Sequence, residues 1–290
     1  MHTETESAAP SLTSNCSRVV ASCPICGVQA HFAYEHPEAR IFRCSNCTHA
    51  FSDPESVRGL ENYSAEYYDE AHRNWFANPN FGLFEWIERQ IPSEARSVID
   101  VGCGRGQFLD YLRMKRPHIR LAGVDLSENQ ARHDIEFYCG DILGLHLGTF
   151  DAVVSLATIE HVPDVVGFAK RIHDQCSPGG LAFVMTLDDG SLLYRASRLA
   201  WRFGIPVGFN RLYSAHHLHH FTHKSLVTLL ERTGLQLRRS LHHSVPLRAL
   251  DIPVSPIARP LLLAGIKAIF SAGDLVGLSY LQTIMVQRSD

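Results

Sequence analysis

Short apolar runs rich in β-forming residues alternate with helix-like stretches from about residue 80 to about residue 240, and this alternation narrows the choice of fold. Strands separated by helices favour a parallel sheet with crossover connections. The strand candidates are Ser97–Val101, Leu121–Asp125, Ile135–Tyr138, Ala152–Leu156 and Leu181–Thr186. We therefore predict the α/β class, with a Rossmann-like, doubly wound sheet.

The flanks of this region extend the same pattern. Phe81–Ile91 has helical apolar spacing, and Thr222 is a good N-cap for a helix over Lys224–Arg232. A strand is predicted near Leu235–Arg239, and a last strand over Tyr280–Gln287. We expect the sheet to be mostly parallel with an antiparallel last strand.

Four of the eight cysteines form two C-x-x-C pairs with the spacing C-x₂-C-x₁₇-C-x₂-C. The four are Cys23, Cys26, Cys44 and Cys47. Two tight knuckle turns at this spacing can place four thiolates tetrahedrally around Zn²⁺, and Gly27 suits the positive φ of such a turn. Two independent buried or redox-active pairs are the alternative. With four protein ligands the predicted zinc site is closed, and its role is structural.

These features divide the chain into three parts. We expect a disordered tail over residues 1–20, a zinc-ribbon-like module over 21–55, and the α/β domain over 56–290. Leu60–His72 contains three tyrosines and is interpreted as an aromatic linker or a short helix.

Charge and hydropathy argue against several kinds of partner. The chain has 27 Lys and Arg against 30 Asp and Glu, a formal net charge of −3. That balance argues against nucleic acid as the partner and gives no general attraction to anionic membranes. Met1–Asn15 lacks the pattern of a secretory signal, and the apolar segment Pro260–Phe270 is shorter than the ~20 residues that span a bilayer. We expect a cytoplasmic protein without a membrane span.

A glycine-rich turn links the strand in Val98–Gly106 to a helix over Gln107–Met114, the place where open α/β sheets bind nucleotide-like ligands. The turn contains Gly102, Gly104 and Gly106. A dinucleotide fingerprint would need its third glycine at Gln107, which argues against NAD. Asp125 ends the next predicted strand and can accept hydrogen bonds from both hydroxyls of a ribose.

These residues resemble the class I S-adenosylmethionine-dependent methyltransferases, over roughly residues 80 to 240. In that family the glycine loop wraps the methionine part of the cofactor, the acidic strand end holds the ribose, and an acidic residue after the third strand faces adenine. The resemblance implies S-adenosylmethionine as the cosubstrate. The implied cofactor-binding residues are Asp100, Gly102, Gly104, Gly106, Asp125, Asp141, Ile142 and Ser155. For each aspartate alone, capping a helix or closing a turn is the alternative.

The segment Phe150–Asp164 resembles the fourth-strand region of small-molecule methyltransferases, including ubiquinone-pathway O-methyltransferases, which borders the transferable methyl. The resemblance implies His161 as the general base, beside Glu160, because an imidazole can take a proton from a hydroxyl near neutral pH. Packing at the start of the next helix is the alternative role of His161. Some relatives bind a divalent cation through Glu-x-x-Glu-His, but Ala157 replaces the first Glu here.

Five histidines lie within His216–His223. Dense histidine is typical of metal binding, but the frame also resembles the segment by which such methyltransferases enter a helix beside the active site. A structural or substrate-facing role and a metal role both stay open. His220 or His217 is a candidate second acid or base.

The predicted activity is methyl transfer from S-adenosylmethionine to a small-molecule acceptor, a hydroxyl of a sugar or a natural-product intermediate. Insertions at Leu192–Arg211 and Val245–Ala272 are expected to cover the acceptor site. Trp201, Phe203 and Phe209 suggest an apolar or ring-shaped acceptor, and core packing is the alternative role of these rings. The alternatives are an RNA methyltransferase that grips its substrate with the zinc ribbon, and a non-catalytic binding or interaction protein.

Overall fold

The computed structural model describes residues 20–57, 73–128, 134–251, 257 and 259–289. The predictions for the N-terminal tail before Val20 and for Leu60–His72 lie outside these residues.

Four antiparallel strands form the N-terminal module. They are β1 (Val20–Ser22), β2 (Gln29–His36), β3 (Ala39–Cys44) and β4 (Ala50–Ser52). Each C-x-x-C pair lies at a turn between two of these strands, the first between β1 and β2 and the second between β3 and β4. The pairing of β2 with β3 brings the two turns to one end of the module, since Ala30 lies opposite Cys44.

The larger domain alternates helices and strands. Its first half contains α1 (Arg73–Ala77), α2 (Phe81–Gln90), β5 (Ser97–Val101), α3 (Gln107–Lys115), β6 (Arg120–Asp125), β7 (Glu136–Cys139) and β8 (Phe150–Leu156). Its second half contains α4 (Val165–Gln175), β9 (Cys176–Leu187), α5 (Leu192–Arg202), α6 (Val207–Leu212), β10 (His219–His220), α7 (His223–Arg232), β11 (Leu235–His243), α8 (Arg259–Val276) and β12 (Leu281–Arg288).

Seven strands form the main sheet in the order β11-β12-β9-β8-β5-β6-β7. The five strands from β9 to β7 are parallel, whereas β12 runs antiparallel to both of its neighbours. This confirms the predicted fold class and the antiparallel last strand. The central strands are covered on both faces, so β8 has an unbroken apolar centre at Ala152–Val154 that is fully buried.

The predicted element boundaries are close to the observed ones. β5 covers the predicted residues, and Thr222 caps α7 by accepting a hydrogen bond from the Ser225 backbone N–H in a reciprocal capping box. β9 begins at Cys176, five positions before the predicted Leu181. That extension contains Pro178, Gly179 and Gly180, which break the apolar pattern of a strand.

One strand of the larger domain pairs with the N-terminal module. β10 completes a five-stranded sheet in the order β1-β2-β3-β4-β10, with His219 opposite Phe51 and His220 opposite Ala50. A two-residue strand is too short to show alternation, so the sequence could not predict this pairing. The module and the larger domain therefore share backbone hydrogen bonds.

Among the helices in the described ranges, none combines the length and the apolarity that crossing a membrane requires.

Candidate active site and cysteine cluster

The glycine turn after β5 has a backbone that other residues rarely adopt. Gly102, Gly104 and Gly106 have φ angles of 75°, 50° and 71°. A Cβ on Gly102 would lie 2.2 Å from the Thr158 Oγ1. The turn is anchored to β6, because Gly102 and Cys103 both donate backbone hydrogen bonds to the Val124 carbonyl, at 2.8 and 3.0 Å. It therefore presents bare backbone at the carboxyl edge of the sheet.

Asp125, at the end of β6, holds this turn in place. One carboxylate oxygen accepts a hydrogen bond from the Gly104 backbone N–H at 2.8 Å. The other accepts from the backbone N–H and the hydroxyl of Ser127, at 2.9 and 2.6 Å. A carboxylate offers about four lone-pair sites, so Asp125 can accept several hydrogen bonds at once.

Asp100, in β5, is buried beside the same turn. The carboxyl is 3% exposed, and its Oδ1 has no hydrogen-bond partner among the described residues. Burial, together with the charge of Asp125, raises the pKa of the Asp100 carboxyl to about 8. A cationic donor beside Asp100 would satisfy the oxygen and favour the charged carboxylate. The ammonium of a bound amino acid moiety has the chemistry that this position requires.

The predicted adenine side follows β7. The Gly140 backbone N–H donates to the Asp125 carbonyl at 2.8 Å, which brings the ends of β6 and β7 together. Asp141 is exposed and accepts from the Leu143 backbone N–H at 2.9 Å, while Ile142 is buried in the core. Asp141 thus closes a turn, which the sequence allowed as its alternative role.

β8 ends in a strained residue next to the glycine turn. Ala157 has a φ of 54°, and its N–H donates to the Met185 carbonyl at 3.0 Å. The Thr158 hydroxyl then donates to the Val101 carbonyl at 3.4 Å. A 3-10 turn over Ile159–His161 follows. Such strain is often found where a backbone is held for function.

Glu160 lies inside the protein rather than on its surface. It is 1% exposed, and neither carboxylate oxygen has a hydrogen-bond partner among the described residues. Burial raises the pKa of the Glu160 carboxyl to about 7. The hydroxyls of Ser155 and Thr186 are also buried without a partner in the described ranges. These groups could accept a polar ligand or water.

His161 has a defined ring orientation. Its Nδ1 lies 2.7 Å from the His216 carbonyl oxygen. A carbonyl only accepts, so Nδ1 carries the hydrogen, and in the neutral ring Nε2 carries the lone pair. The ring centroid of His217 is 5.1 Å away. His161 thus has the tautomer in which Nε2 can take a proton.

The neighbouring histidines are enclosed. Burial lowers the pKa of His217 and of His219 to about 4, and that of His220 well below its usual value. The His220 ring lies 4.5 Å from the Tyr213 ring, and neither of its nitrogens has a described partner. These rings are neutral at pH 7. A role for His220 as a second acid or base stays a prediction.

The two cysteine pairs meet in space. Cys23 Sγ lies 3.5 Å from Cys47 Sγ, and Cys26 Sγ lies 3.5 Å from Cys44 Sγ. All four sulfurs lie within 4.8 Å of one another, the one such group of potential metal ligands in the described part of the chain. A tetrahedral ion with Zn–S bonds of ~2.3 Å holds its sulfurs about 3.8 Å apart, so the four residues fit zinc.

Both knuckle turns have matching geometry around these sulfurs. The Gly27 N–H donates to the Cys23 carbonyl at 2.9 Å, and the Thr48 N–H donates to the Cys44 carbonyl at 3.1 Å. Gly27 has a φ of 72°, as predicted, and Thr48 has a φ of 65°. The second knuckle therefore places a branched residue where glycine is favoured.

Side chains that the sequence did not single out join the module to the larger domain. Arg43 forms an ion pair with Asp189 at 2.7 Å, and Asp189 also pairs with Arg198 at 3.0 Å. The hydroxyls of Thr48 and Thr222 lie 2.6 Å apart. No local sequence pattern marks the Arg43–Asp189 and Thr48–Thr222 contacts, because their partners are more than one hundred positions apart.

Two of the aromatic residues expected near the acceptor, Trp201 and Phe209, form part of this same interface, whereas Phe203 is exposed. Trp201 stacks on Phe209 with centroids 4.8 Å apart, and Tyr34 of β2 meets both rings edge-on, at 5.9 and 5.5 Å. Phe209 is fully buried. These rings pack the helices α5 and α6 against the N-terminal module and act as core.

The strand order and the glycine turn define the fold of the class I S-adenosylmethionine-dependent methyltransferases, which confirms the predicted class. A family model described as a methyltransferase domain matches residues 63–240, more than half of the chain. The chain therefore belongs to this methyltransferase domain family.

Curated relatives include two ubiquinone biosynthesis O-methyltransferases. The protein from Albidiferax ferrireducens is 27% identical over 182 residues, which cover 55% of this chain and 66% of the relative. One from Coxiella burnetii (strain Dugway 5J108-111) is 29% identical over 163 residues, which cover 52% and 67%. The chain thus spans about two thirds of the length of these relatives.

Solved structures share the fold at low identity. The phosphoethanolamine N-methyltransferase 2 of Haemonchus contortus, in complex with S-adenosyl-L-methionine, aligns with a TM-score of 0.58 at 15% identity, over 83% of this chain and 62% of that one. A chain from the complex of the Haloferax volcanii Trm112 methyltransferase activator with a methyltransferase aligns with a TM-score of 0.53 at 16% identity, over 78% and 93%.

Proposed function

We propose that this protein transfers the methyl group of S-adenosylmethionine to a hydroxyl of a small molecule. The observation that carries the proposal is the buried oxygen of Asp100, which has no hydrogen-bond partner among the described residues, beside a turn of three positive-φ glycines. Such a site favours a ligand with a cationic donor that lies against bare backbone. The methionine end of S-adenosylmethionine provides an ammonium for this position.

The remaining cofactor contacts follow the order of the strands. The backbone of Gly102, Gly104 and Gly106 would border the methionine part. Asp125 would accept hydrogen bonds from the ribose hydroxyls, while Asp141 and Ile142 would border adenine. Ser155 stays a prediction for the same site, supported by its buried hydroxyl without a described partner.

Bound S-adenosylmethionine supplies an electrophilic methyl carbon on a sulfonium. The acceptor oxygen would form a bond to that carbon as the carbon–sulfur bond breaks, with the bond electrons remaining on sulfur. His161 Nε2 would take the proton that the hydroxyl loses. The protein contributes most through the alignment of oxygen, carbon and sulfur. Glu160 would lie beside this point as a buried carboxyl that holds a proton in about half of the molecules near pH 7 and can then donate a hydrogen bond.

We propose a sugar or a natural-product intermediate as the acceptor, and the ubiquinone-pathway relatives support a small-molecule hydroxyl. The N-terminal module does not favour RNA. Residues 20–57 contain four acidic and two basic residues, and both arginines are ion-paired, Arg40 with Asp53 and Arg43 with Asp189.

The cysteine cluster is proposed to bind one structural Zn²⁺ through Cys23, Cys26, Cys44 and Cys47. The distances between the sulfurs support this assignment. Seven cysteines lie within the described ranges, and none of the seven forms a disulfide there. Reduced thiols favour a cytoplasmic location.

Calorimetric titration with S-adenosylmethionine tests the proposal. The wild-type protein is expected to bind it, and Asp100→Asn to bind it about 10- to 100-fold more weakly, since a hydrogen bond to a charged group contributes ~1.5–3 kcal/mol. Asp274→Asn, which alters an exposed aspartate of α8, is the matched control. Absence of binding by the wild-type protein would overturn the proposed function. A panel of hydroxylated acceptors then tests the transfer itself.

A further inference from the structure

The backbone segment Ala215–Leu218 lies between the candidate base, His161, and the cysteine module. His161 donates from Nδ1 to the carbonyl of His216. One residue earlier than His216, the backbone N–H of Ala215 donates a hydrogen bond to the Glu38 carboxylate at 2.7 Å. Glu38 belongs to the turn between β2 and β3 and is 177 positions away in sequence.

The module also holds the residues that follow. The Ser52 backbone N–H donates to the Leu218 carbonyl at 2.9 Å. The Ser52 hydroxyl donates to the His217 carbonyl at 3.3 Å. The segment from Ala215 to Leu218 is thus tied to the module on both sides of His216. The His216 carbonyl shares its peptide plane with the His217 N–H, which donates to the Ser214 carbonyl at 3.0 Å. The direction of the carbonyl therefore follows the position of this turn, and the bonds to the module hold the turn in place.

The direction of that carbonyl sets the chemistry of His161. An Nδ1–H that donates to a carbonyl fixes both the ring plane and the tautomer, and it leaves the Nε2 lone pair to accept a proton. If the carbonyl turned away, the ring could adopt the other neutral tautomer. Its Nε2 would then carry a hydrogen and could not act as a base.

We propose that Glu38 is a positioning residue for methyl transfer, which fixes the His161 tautomer through the Ala215–Leu218 segment. This inference rests on the proposed role of His161 as the base. It gives the N-terminal module a function in the reaction, since the module orients a proton acceptor from outside the main sheet.

Nitrogen NMR of the full-length, metal-loaded protein labelled at histidine reads the tautomer directly, without any acceptor. His161→Gln identifies the His161 signals by their loss. In the wild-type protein we expect His161 as the Nδ1–H tautomer. In Glu38→Ala we expect a large part of that population to shift to the Nε2–H tautomer. Glu38→Gln should restore the wild-type spectrum, because its amide oxygen can still accept from Ala215.

Glu35→Ala is the matched control, since Glu35 is an exposed glutamate of β2 in the same module. It should leave the His161 signals unchanged. Unchanged His161 signals in Glu38→Ala would overturn the inference, and so would an equal change in Glu35→Ala. Ser52→Ala, which removes the bond to His217, provides a second perturbation of the same segment and should shift the signals in the same direction.

Activity separates this inference from the proposed function. Once an acceptor is found, Glu38→Ala should lower kcat about 10- to 100-fold with little change in S-adenosylmethionine affinity, as expected for a misplaced catalytic group. A shifted tautomer with an unchanged kcat would uphold the positioning and exclude His161 as the base. An unshifted tautomer with a lowered kcat would overturn the positioning.

Discussion

Arg43 of the N-terminal module and Asp189, two residues past the end of β9, form an ion pair of 2.7 Å in which the aspartate is almost fully buried. β9 adjoins β8, whose carboxyl end leads to Glu160 and His161. The pair therefore connects the cysteine module to the edge of the sheet where the reaction is proposed to occur. Charge pairing at this depth makes the module a part of the folded domain.

Arg43→Met should destabilise the protein more than Arg40→Met, which removes the other ion-paired arginine of the module. It would leave Asp189 buried with Arg198 as its remaining cationic partner, and we expect a loss of ~1–3 kcal/mol in the free energy of unfolding. Arg40→Met, which breaks the more exposed pair with Asp53, should cost under ~1 kcal/mol. Urea unfolding of both variants measures this. Equal losses would contradict the structural role of the Arg43 pair.

Metal analysis tests the cysteine cluster. We expect about one zinc per chain in the wild-type protein and its loss in Cys44→Ala, with a lower melting temperature because metal binding and folding of the module are coupled. Cys139→Ser changes an exposed thiol and is the control. Zinc well below one per chain in the wild-type protein, or full zinc retention in Cys44→Ala, would contradict the four-thiolate site.

Gly102→Ala should impair cofactor binding more than Gly148→Ala, which changes another glycine with a positive φ. Its added Cβ would meet Thr158 at 2.2 Å, whereas a Cβ on Gly148, with a φ of 78°, has no neighbour within 4 Å. Both variants suffer the left-handed strain of ~1–2 kcal/mol. We therefore expect Gly148→Ala to lose stability and keep its affinity for S-adenosylmethionine, and Gly102→Ala to lose both. Equal affinities in calorimetry would place the cofactor elsewhere.

The main sheet could be predicted well from the sequence, because each central strand contains an apolar run. The glycines Gly102, Gly104 and Gly106 mark the turn after β5. β5 was predicted to the residue, and the loop glycines adopt the backbone that their type allows. The placement of Glu160 deep in the core and the pairing of β10 with β4 could not be predicted. Both depend on contacts between distant segments, and neither has a periodic signal along the chain.

The raised pKa of Asp100 makes stability depend on pH in a defined direction. In the folded protein this pKa is about 8, against an ordinary value of 3.8, so between these values the folded state holds a proton that the unfolded state has lost. The contribution of Asp100 to stability without cofactor should therefore fall as pH rises from about 4 to about 8. Asp100→Asn should flatten this slope. Unfolding curves at several pH values measure it, and an unchanged slope in the variant would exclude Asp100 as its source.

The same carboxyl predicts proton release when S-adenosylmethionine binds. A cofactor ammonium beside Asp100 favours the charged carboxylate, so a proton that the free protein holds at pH 7 should leave on binding. Calorimetry in buffers of different ionisation enthalpy counts that proton. The release should shrink in Asp100→Asn. The pKa of Glu160 is also raised, to about 7, so Glu160→Gln is measured as the control. We expect this variant to keep most of the proton release. Loss of the release in Glu160→Gln alone would indicate that the ammonium of the cofactor lies beside Glu160 and not beside Asp100.

His161→Ala should lower the rate of methyl transfer and leave the cofactor site intact. General-base catalysis by a positioned side chain contributes typically ~10²- to 10⁴-fold, so we expect a loss of that size in kcat with nearly unchanged affinity for S-adenosylmethionine. His173→Ala, which alters a histidine of α4 paired with Asp174, is the control. If His161→Ala retained the wild-type kcat, the ring would have a packing role, and the proton would leave the acceptor by another route. If it lost cofactor affinity as well, the bond to His216 would matter for the shape of the site more than for proton transfer.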